Sequence, residues 1–481
     1  MSYLKAKSIH IFGWPFRIGK KEIKIFKKQV KETPDFWMEK EMDYTKITEA
    51  SELCDAYMLY QYLSAAARDV FFKKKDKICT VYEYPIREKL YYEITCFGGF
   101  SYSLPIEKIE LHLYNFGVGI IFLHVLNYDE KAGNVGAKVC GVAEDIADIK
   151  RINDAGRRMM APILARDGDT AGSTPFLVCA EKLGIRWEDC PGKTGETAGS
   201  VITDFRENVT YVMNHAQDET AKQRLSQPAD FLLRLLNGNL KKDGPYKISV
   251  DSRTDDRMFV MCMIRDEALS EAIRCSTVDL DLLYSVLYVD YDSTSCEDAD
   301  MRNLLLDESV YRRWCGLGTL YGITDYSMVC ITTDKEKIID NTVIHPYLAE
   351  YPFLVSLVYA QKMGIEWFSE LAEKQITLGW KKIFARRKTL PSRWIADLQK
   401  RYLLFKNQIL ILSFSWQEQG AELYRLLQKQ MMIDQDRAML DEQMQGIYEM
   451  ENVKSGNFLA VLGTILAIIT LVFGDGFLNF W

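Results

Sequence analysis

From Thr80 onward apolar and polar positions alternate with a period of two. The runs "TVYEY", "LYYEITC" and "KIELHLYNFGVGIIFLHVLNY" therefore read as strands. The last is a hairpin, because Asn115-Phe116-Gly117 places turn residues between two alternating runs. Its apolar stretch of about ten residues is too short to cross a membrane and reads as core strand. The period then changes: "EDIADIKRINDAGRRMMAPIL" predicts a helix, followed by polar, glycine-rich loops at "RDGDTAGS" and "PGKTGETAGS". A second strand-rich block, "DRMFVMCMIRDE" and "WCGLGTLYGITDYSMVCITT", is again followed by a helix, "PYLAEYPFLVSLVYAQKMGIEWFSELAEKQ". Hairpin-then-helix order occurring twice predicts an α+β body of two ferredoxin-like halves. Ahead of it, the basic runs "RIGKKEIKIFKK" and "FFKKKDK" flank a helix-like "EASELCDAYMLYQYLSAAARDVFF".

Between Pro391 and Gly420, and again to Gly446, there is neither Pro nor Gly, which predicts one or two very long helices forming a stalk. Along it Leu426, Ile433, Leu440 and Ile447 recur every seven residues, while the alternating core row holds Gln430, Arg437 and Met444. Polar residues in one row weaken a coiled-coil seam but specify register, and around a central axis they would line a wet funnel. Ser455-Gly456-Asn457 breaks the phase. Beyond it, Phe458–Phe473 carries no charge, and eleven of its residues are Leu, Ile, Val or Phe, worth roughly −5 kcal/mol of insertion energy. Small residues at Gly456, Ala460, Gly463, Ala467, Thr470 and Gly474 fall on one helical face, which lets helices pack closely in lipid. Asp475 lies near the interface, and Phe477, Phe480 and Trp481 supply an aromatic anchor. The expected organisation is a helical, basic segment (1–79), a first α+β sensor region (80–250), a second (251–390), the stalk helix (391–456) and one C-terminal transmembrane helix (457–481).

Composition narrows the function. At 481 residues with 48% hydrophobic and 26% charged residues, the body is ordinary globular protein. A net charge of −7 argues against a general nucleic-acid binder. Eleven scattered cysteines without Cys-x-x-Cys spacing suit free thiols in a cytoplasm, and "MSYLKAKSIHIFGWPF" has no signal-peptide pattern. "PGKTG" is no P-loop, because Trp187 stands where the leading glycine belongs. The five histidines lack metal-ligand spacing, so no metal, cofactor or catalytic residue is expected, and no enzyme. Three basic clusters remain: Lys150/Arg151 with Arg157/Arg158; Arg312/Arg313 beside Trp314; and Lys381, Lys382, Arg386, Arg387, Lys388 and Arg393 with Trp380, Phe384 and Trp394. Arginine forks bind phosphate and aromatic rings stack on bases, so these are candidate sites for a nucleotide or a single-stranded oligonucleotide.

The order of parts resembles the CorA-like magnesium transporter superfamily, which implies an oligomeric funnel with pore helices on its axis. That family's Gly-Met-Asn signature and second membrane helix are missing from "GDGFLNFW", so selective magnesium transport does not carry over. The stretches "LYNFGVGIIFLHVLN", "IKRINDAGRRMMAP", "RRWCGLGTLYGITDYSMVCIT", "YLLFKN" and "QEQGAELYRLL" resemble a group of bacterial proteins that includes membrane effectors of anti-phage defence operons, the Hailong type among them. That resemblance implies a homo-oligomeric channel, a tetramer or pentamer, in the bacterial inner membrane with its bulk in the cytoplasm. A nucleotide-derived ligand made by a partner enzyme, there a single-stranded DNA oligomer, would hold it shut. The expected function is thus an ion channel gated by a sensor domain through an anionic ligand. The alternatives are a divalent-cation transporter and a tail-anchored binding protein or enzyme.

Overall fold

The N-terminal segment holds the helices Lys20–Glu32, Ala50–Tyr62 and Ala65–Phe71, but it opens with a strand that the sequence pattern does not predict. That strand, β1 (Ala6–Arg17), lies in the middle of a twelve-stranded sheet. A computed structural model describes residues 6–33, 36–96, 99–128, 145–160, 180–188, 198–215, 217–219, 227–241, 246–251, 257–291, 294–333, 339–384 and 392–449. After β1 come β2 (Met38–Glu39), β3 (Cys79–Glu83), β4 (Lys89–Cys96), β5 (Ser101–Tyr114), β6 (Val118–Tyr128), β7 (Ala180–Glu188), β8 (Gly199–Asp204), β9 (Phe259–Arg265), β10 (Val310–Tyr311), β11 (Leu320–Ile323) and β12 (Ser327–Thr332). They lie in the order β10-β11-β12-β9-β1-β6-β5-β4-β7-β8, with β3 added to β5 and β2 to β3. Among the described residues every pairing is antiparallel except β12 with β9, whose connection runs through the helices Glu267–Arg274, Leu280–Leu287 and Ala299–Ser309 and then β10 and β11.

This sheet overturns the two ferredoxin-like halves. His10 of β1 stands opposite Val125 of β6 on one side and Cys262 of β9 on the other, so the two expected regions are joined through the N-terminal segment. The fold is mixed α/β, with a layer on each face of the sheet. On one face Phe12 meets Tyr92, which meets Phe231, and the Tyr92 hydroxyl donates to the Gly156 carbonyl at 2.6 Å. On the other face His112 packs 4.6 Å from Phe353, and Phe259 packs 5.5 Å from Tyr359. There the Tyr347 hydroxyl donates to the Met328 carbonyl. Central strands covered on both sides are apolar throughout instead of alternating, as β9 ("FVMCMIR") and β12 ("SMVCIT") show. The β5–β6 hairpin expected from the alternation is present, turning at Gly117 (φ +105°), where a Cβ would stand 2.3 Å from the Ile18 carbonyl oxygen.

The stalk is also corrected. Its first helix, Ser392–Ile409, ends; residues 410–417 run irregularly; a second helix spans Glu418–Gln430; a third occupies 433–449. Met432, at φ +57°, marks the second break. The chain divides into two compact units, one of Met1–Ala360 with Leu412–Met431, the other of Gln361–Ile411 with Met432–Trp481. Glu418–Gln430 thus belongs to the sheet unit, where the Gln430 side chain donates to the Glu308 carbonyl at 3.0 Å. In the other unit Ile433, Leu440, Met444 and Ile447 are buried, and Arg437 lies 3.9 Å from both Asp434 and Asp441. The apolar row is a core stripe within the chain, and the continuous stalk and the funnel built on it fall with it. Among the described residues no helix is long and apolar enough to cross a membrane. The expected 457–481 span, with Gly456, Ala460, Gly463, Ala467, Thr470, Gly474 and Asp475, lies outside the described residues.

Candidate functional site

Residues 412–417 cross the sheet unit as a strap. The Phe414 carbonyl accepts from the Ser64 amide at 2.9 Å, and the Trp416 amide donates to the Tyr62 carbonyl at 3.2 Å. The Ser415 hydroxyl donates to that same carbonyl at 2.6 Å and accepts from the Gln417 amide at 3.0 Å, which starts the Glu418–Gln430 helix. Gly420 lets that helix come close: a Cβ there would lie 2.4 Å from the Tyr62 hydroxyl. One residue earlier, the Gln419 side chain is a hydrogen-bonding hub. Its oxygen accepts from the Trp314 indole at 2.5 Å, and its nitrogen donates to the Tyr351 hydroxyl at 2.5 Å and the Tyr321 hydroxyl at 3.1 Å.

The strap, the end of the Ala50–Tyr62 helix, residues 313–314 and the 341–350 stretch enclose a cavity of about 640 Å³. Its polar wall holds Gln61, Asn341, Gln417 and Gln419; its aromatic wall holds Tyr62, Trp314 and Trp416. Trp416 is 66% exposed and forms the rim. Glu350, at the junction of the helices His345–Ala349 and Tyr351–Phe384, is only 2% exposed. Its backbone is fixed, the amide donating to the Pro346 carbonyl at 2.9 Å and the carbonyl accepting from the Phe353 amide at 3.1 Å. Its carboxyl oxygen Oε2 is buried without a hydrogen-bond partner, and burial pushes the group up to about 8. A buried acid with no partner costs stability, so a fold that keeps one at a cavity wall has a candidate ligand contact there.

Among the described residues, Arg313 is the expected ligand-binding cation that lines this cavity, together with Trp314 of the same cluster. Arg313 is fully engaged: Nη2 and Nε donate to the Glu422 carboxylate at 2.7 and 3.1 Å, Nη1 to Glu418 at 2.9 Å. The bond to Arg313 holds the Glu422 carboxyl below the usual range. Arg312 points to Asp307, 3.6 Å away. Arg157 and Arg158 share Asp154 at 3.0 and 3.5 Å; Arg157 is buried and lies 5.0 Å from the Tyr326 ring, the geometry of a structural pair. The side chains of Lys381, Lys382, Arg386, Arg387, Arg393 and Trp394 lie outside the described residues. The described residues hold no group of three or more His, Cys, Asp and Glu side chains that could bind a metal ion.

The residues missed from sequence are Glu350, Gln419 and Trp416. Glu350 carried a readable signal, being the one charged residue in the otherwise apolar "PYLAEYPFLVSLV". Gln419 and Trp416 carried none, because their role depends on the strap returning to the sheet unit. No family model, no curated protein and no solved structure matches the chain.

Proposed function

We propose that the chain is a ligand-controlled effector that acts on a membrane, with the cavity beneath the strap as its sensor. The observation that carries this reading is Glu350, a buried and unpartnered carboxyl at the wall of a cavity whose outer side is the strap. The strap and the Glu418–Gln430 helix form one segment, Leu412–Met431, whose two ends continue into the second unit, so a ligand touching Trp416, Gln417 or Gln419 bears on a segment tied covalently to that unit twice. The same unit leads on to the uncharged Phe458–Phe473 stretch, which is the membrane-acting part. A ligand controls the effector only if it binds the active and resting states with different affinity. The cavity wall offers ring stacking and amide hydrogen bonding. The anionic ligand expected from the sequence would have to draw Arg313 away from Glu418 and Glu422.

The test is conductance across liposomes carrying the full-length protein, with and without short single-stranded DNA oligomers, nucleotides and small amines. Ligand-dependent current is expected. Trp416→Ala should blunt the ligand response while leaving unliganded current, and deleting 458–481 should remove current altogether. Current unaffected by that deletion would overturn the membrane role, and a full ligand response in Trp416→Ala would overturn the sensor assignment.

A further inference from the structure

The charge and shape of the cavity single out one class of ligand. Among the lining residues the one cation, Arg313, is already neutralised by Glu418 and by Glu422 behind it, so Glu350 is the acidic group left without a counter-ion. Glu350 itself has no cation within ion-pairing reach among the described residues, and the only influence on its acidity is burial. Three aromatic side chains, Tyr62, Trp314 and Trp416, line the same space together with the thioether of Met58. Ring faces attract cations, most strongly where water is excluded. A carboxyl deep in the site and aromatic faces toward its mouth form the complement of an alkylammonium group with a short apolar body.

We propose that the cavity binds an organic ammonium ion, paired with Glu350 and packed against Trp314 and Trp416. The proposal rests on the reading of the cavity as a ligand site and names the ligand's chemical class. Binding would transfer one proton: the Glu350 carboxyl loses it to solvent, and the carboxylate formed pairs with the ammonium. The groups facing Glu350 do not titrate in its place. Tyr62, Tyr321 and Tyr351 are pushed above the ordinary phenol range by burial; burial and Glu422 do the same to Tyr311; Arg313 is held charged by Glu422 and Glu418. Since Glu350 is protonated below about 8, affinity for a cation should climb with pH up to that point and level off above it.

The experiment is titration calorimetry on the full-length protein in detergent, with spermidine, putrescine and tetramethylammonium as cationic probes and AMP as an anionic one. Saturable binding of a cationic probe is expected, strengthening by roughly tenfold from pH 6 to pH 7, with release of close to one proton per site at pH 7. Glu350→Gln should weaken that binding by tenfold or more and abolish its pH dependence; Trp416→Ala should weaken it and keep the pH dependence. AMP binding that displaces the amines, or affinity that falls as pH rises, would overturn the ammonium assignment while leaving the cavity a ligand site. Absence of binding by every probe at millimolar concentration would overturn the ammonium assignment; the sensor role is then judged by the ligand response of the Trp416→Ala liposomes.

Discussion

Two buried glutamates set opposite pH dependences at the scale of single residues. Glu350 titrates higher in the folded protein than in the unfolded chain, so the folded state holds the extra proton between about 4.5 and about 8. Its contribution is therefore fully present in acid and is lost as pH rises through that window, with a slope of at most about 1.4 kcal/mol per pH unit. Glu350→Gln keeps the shape and removes the titration. Thermal melts should show the variant gaining on the parent between pH 6 and pH 8; an unchanged difference would mean the carboxyl is solvated in solution. Glu110 has the opposite sign. Buried in the sheet, it is held well below the usual range by Lys108 and Lys40, at 2.8 and 3.1 Å, with His124 at 3.4 Å. Its stabilisation is present above the unfolded value and lost in acid. Glu110→Gln leaves Lys108 without that carboxylate and Lys40 with Glu83 alone, and because both ammonium groups are partly exposed it should cost about 1–3 kcal/mol in denaturant titrations at pH 7. Alternation in "KIELHLY" places Glu110 and His112 together on one face. The structure covers it with the layer containing Phe353, which a single strand's pattern cannot announce.

Elements with a complete local signal were legible, and those decided by partners were not. The β5–β6 hairpin has its alternation and its turn glycine in one continuous stretch. The helix expected over 144–164 appears as Ile146–Gly156, capped by the Asp145 side chain, which accepts from the Asp148 amide at 2.9 Å. β1 was hidden because both of its faces are buried, which erases the period of two. The stalk misled for a physical reason. Absence of Pro and Gly permits a long helix but does not require one, and packing on Tyr62 and Trp314 bends the chain into a strap instead. Gly420 is the residue that makes this packing feasible. Gly420→Ala inserts a methyl 2.4 Å from the Tyr62 hydroxyl, and overpacking of this kind costs about 1–3 kcal/mol. Helix propensity alone would stabilise the same change by nearly 1 kcal/mol. The expected outcome is net destabilisation together with weakened ligand binding; a more stable Gly420→Ala protein that binds normally would show the strap to be loosely seated.

Across the whole molecule, the chain order explains how a cavity in the sheet unit could report elsewhere. Residues 361–411 belong to the second unit, 412–431 return to the first, and 432 onward leaves again. The returning piece lines the cavity through residues 416–419, and it is held to the sheet unit by two strap–Tyr62 bonds, two strap–Ser64 bonds, the Gln419 hub, the Arg313 pairs to Glu418 and Glu422, and the buried side chains of Phe414, Leu423, Tyr424 and Leu427. Its strap residues, 412–417, lie in no helix or strand, and an irregular stretch of this kind opens at lower free energy than the twelve-stranded sheet, whose amides are paired across central strands. A ligand bound to Glu350 and Trp416 closes the strap from both sides, so the free energy of opening should rise by the binding free energy at the working concentration, about 2.7 kcal/mol at a hundredfold excess over Kd. Hydrogen exchange should then slow roughly a hundredfold at the Trp416 amide and in the first turns of Glu418–Gln430, while β1 and β9 stay as they are. Gln419→Leu, which leaves Trp314, Tyr321 and Tyr351 without their shared partner, should speed the same amides before any ligand is added. Protection that spread evenly through the sheet would instead assign the ligand's effect to global stability, and the strap would lose its role as the moving part.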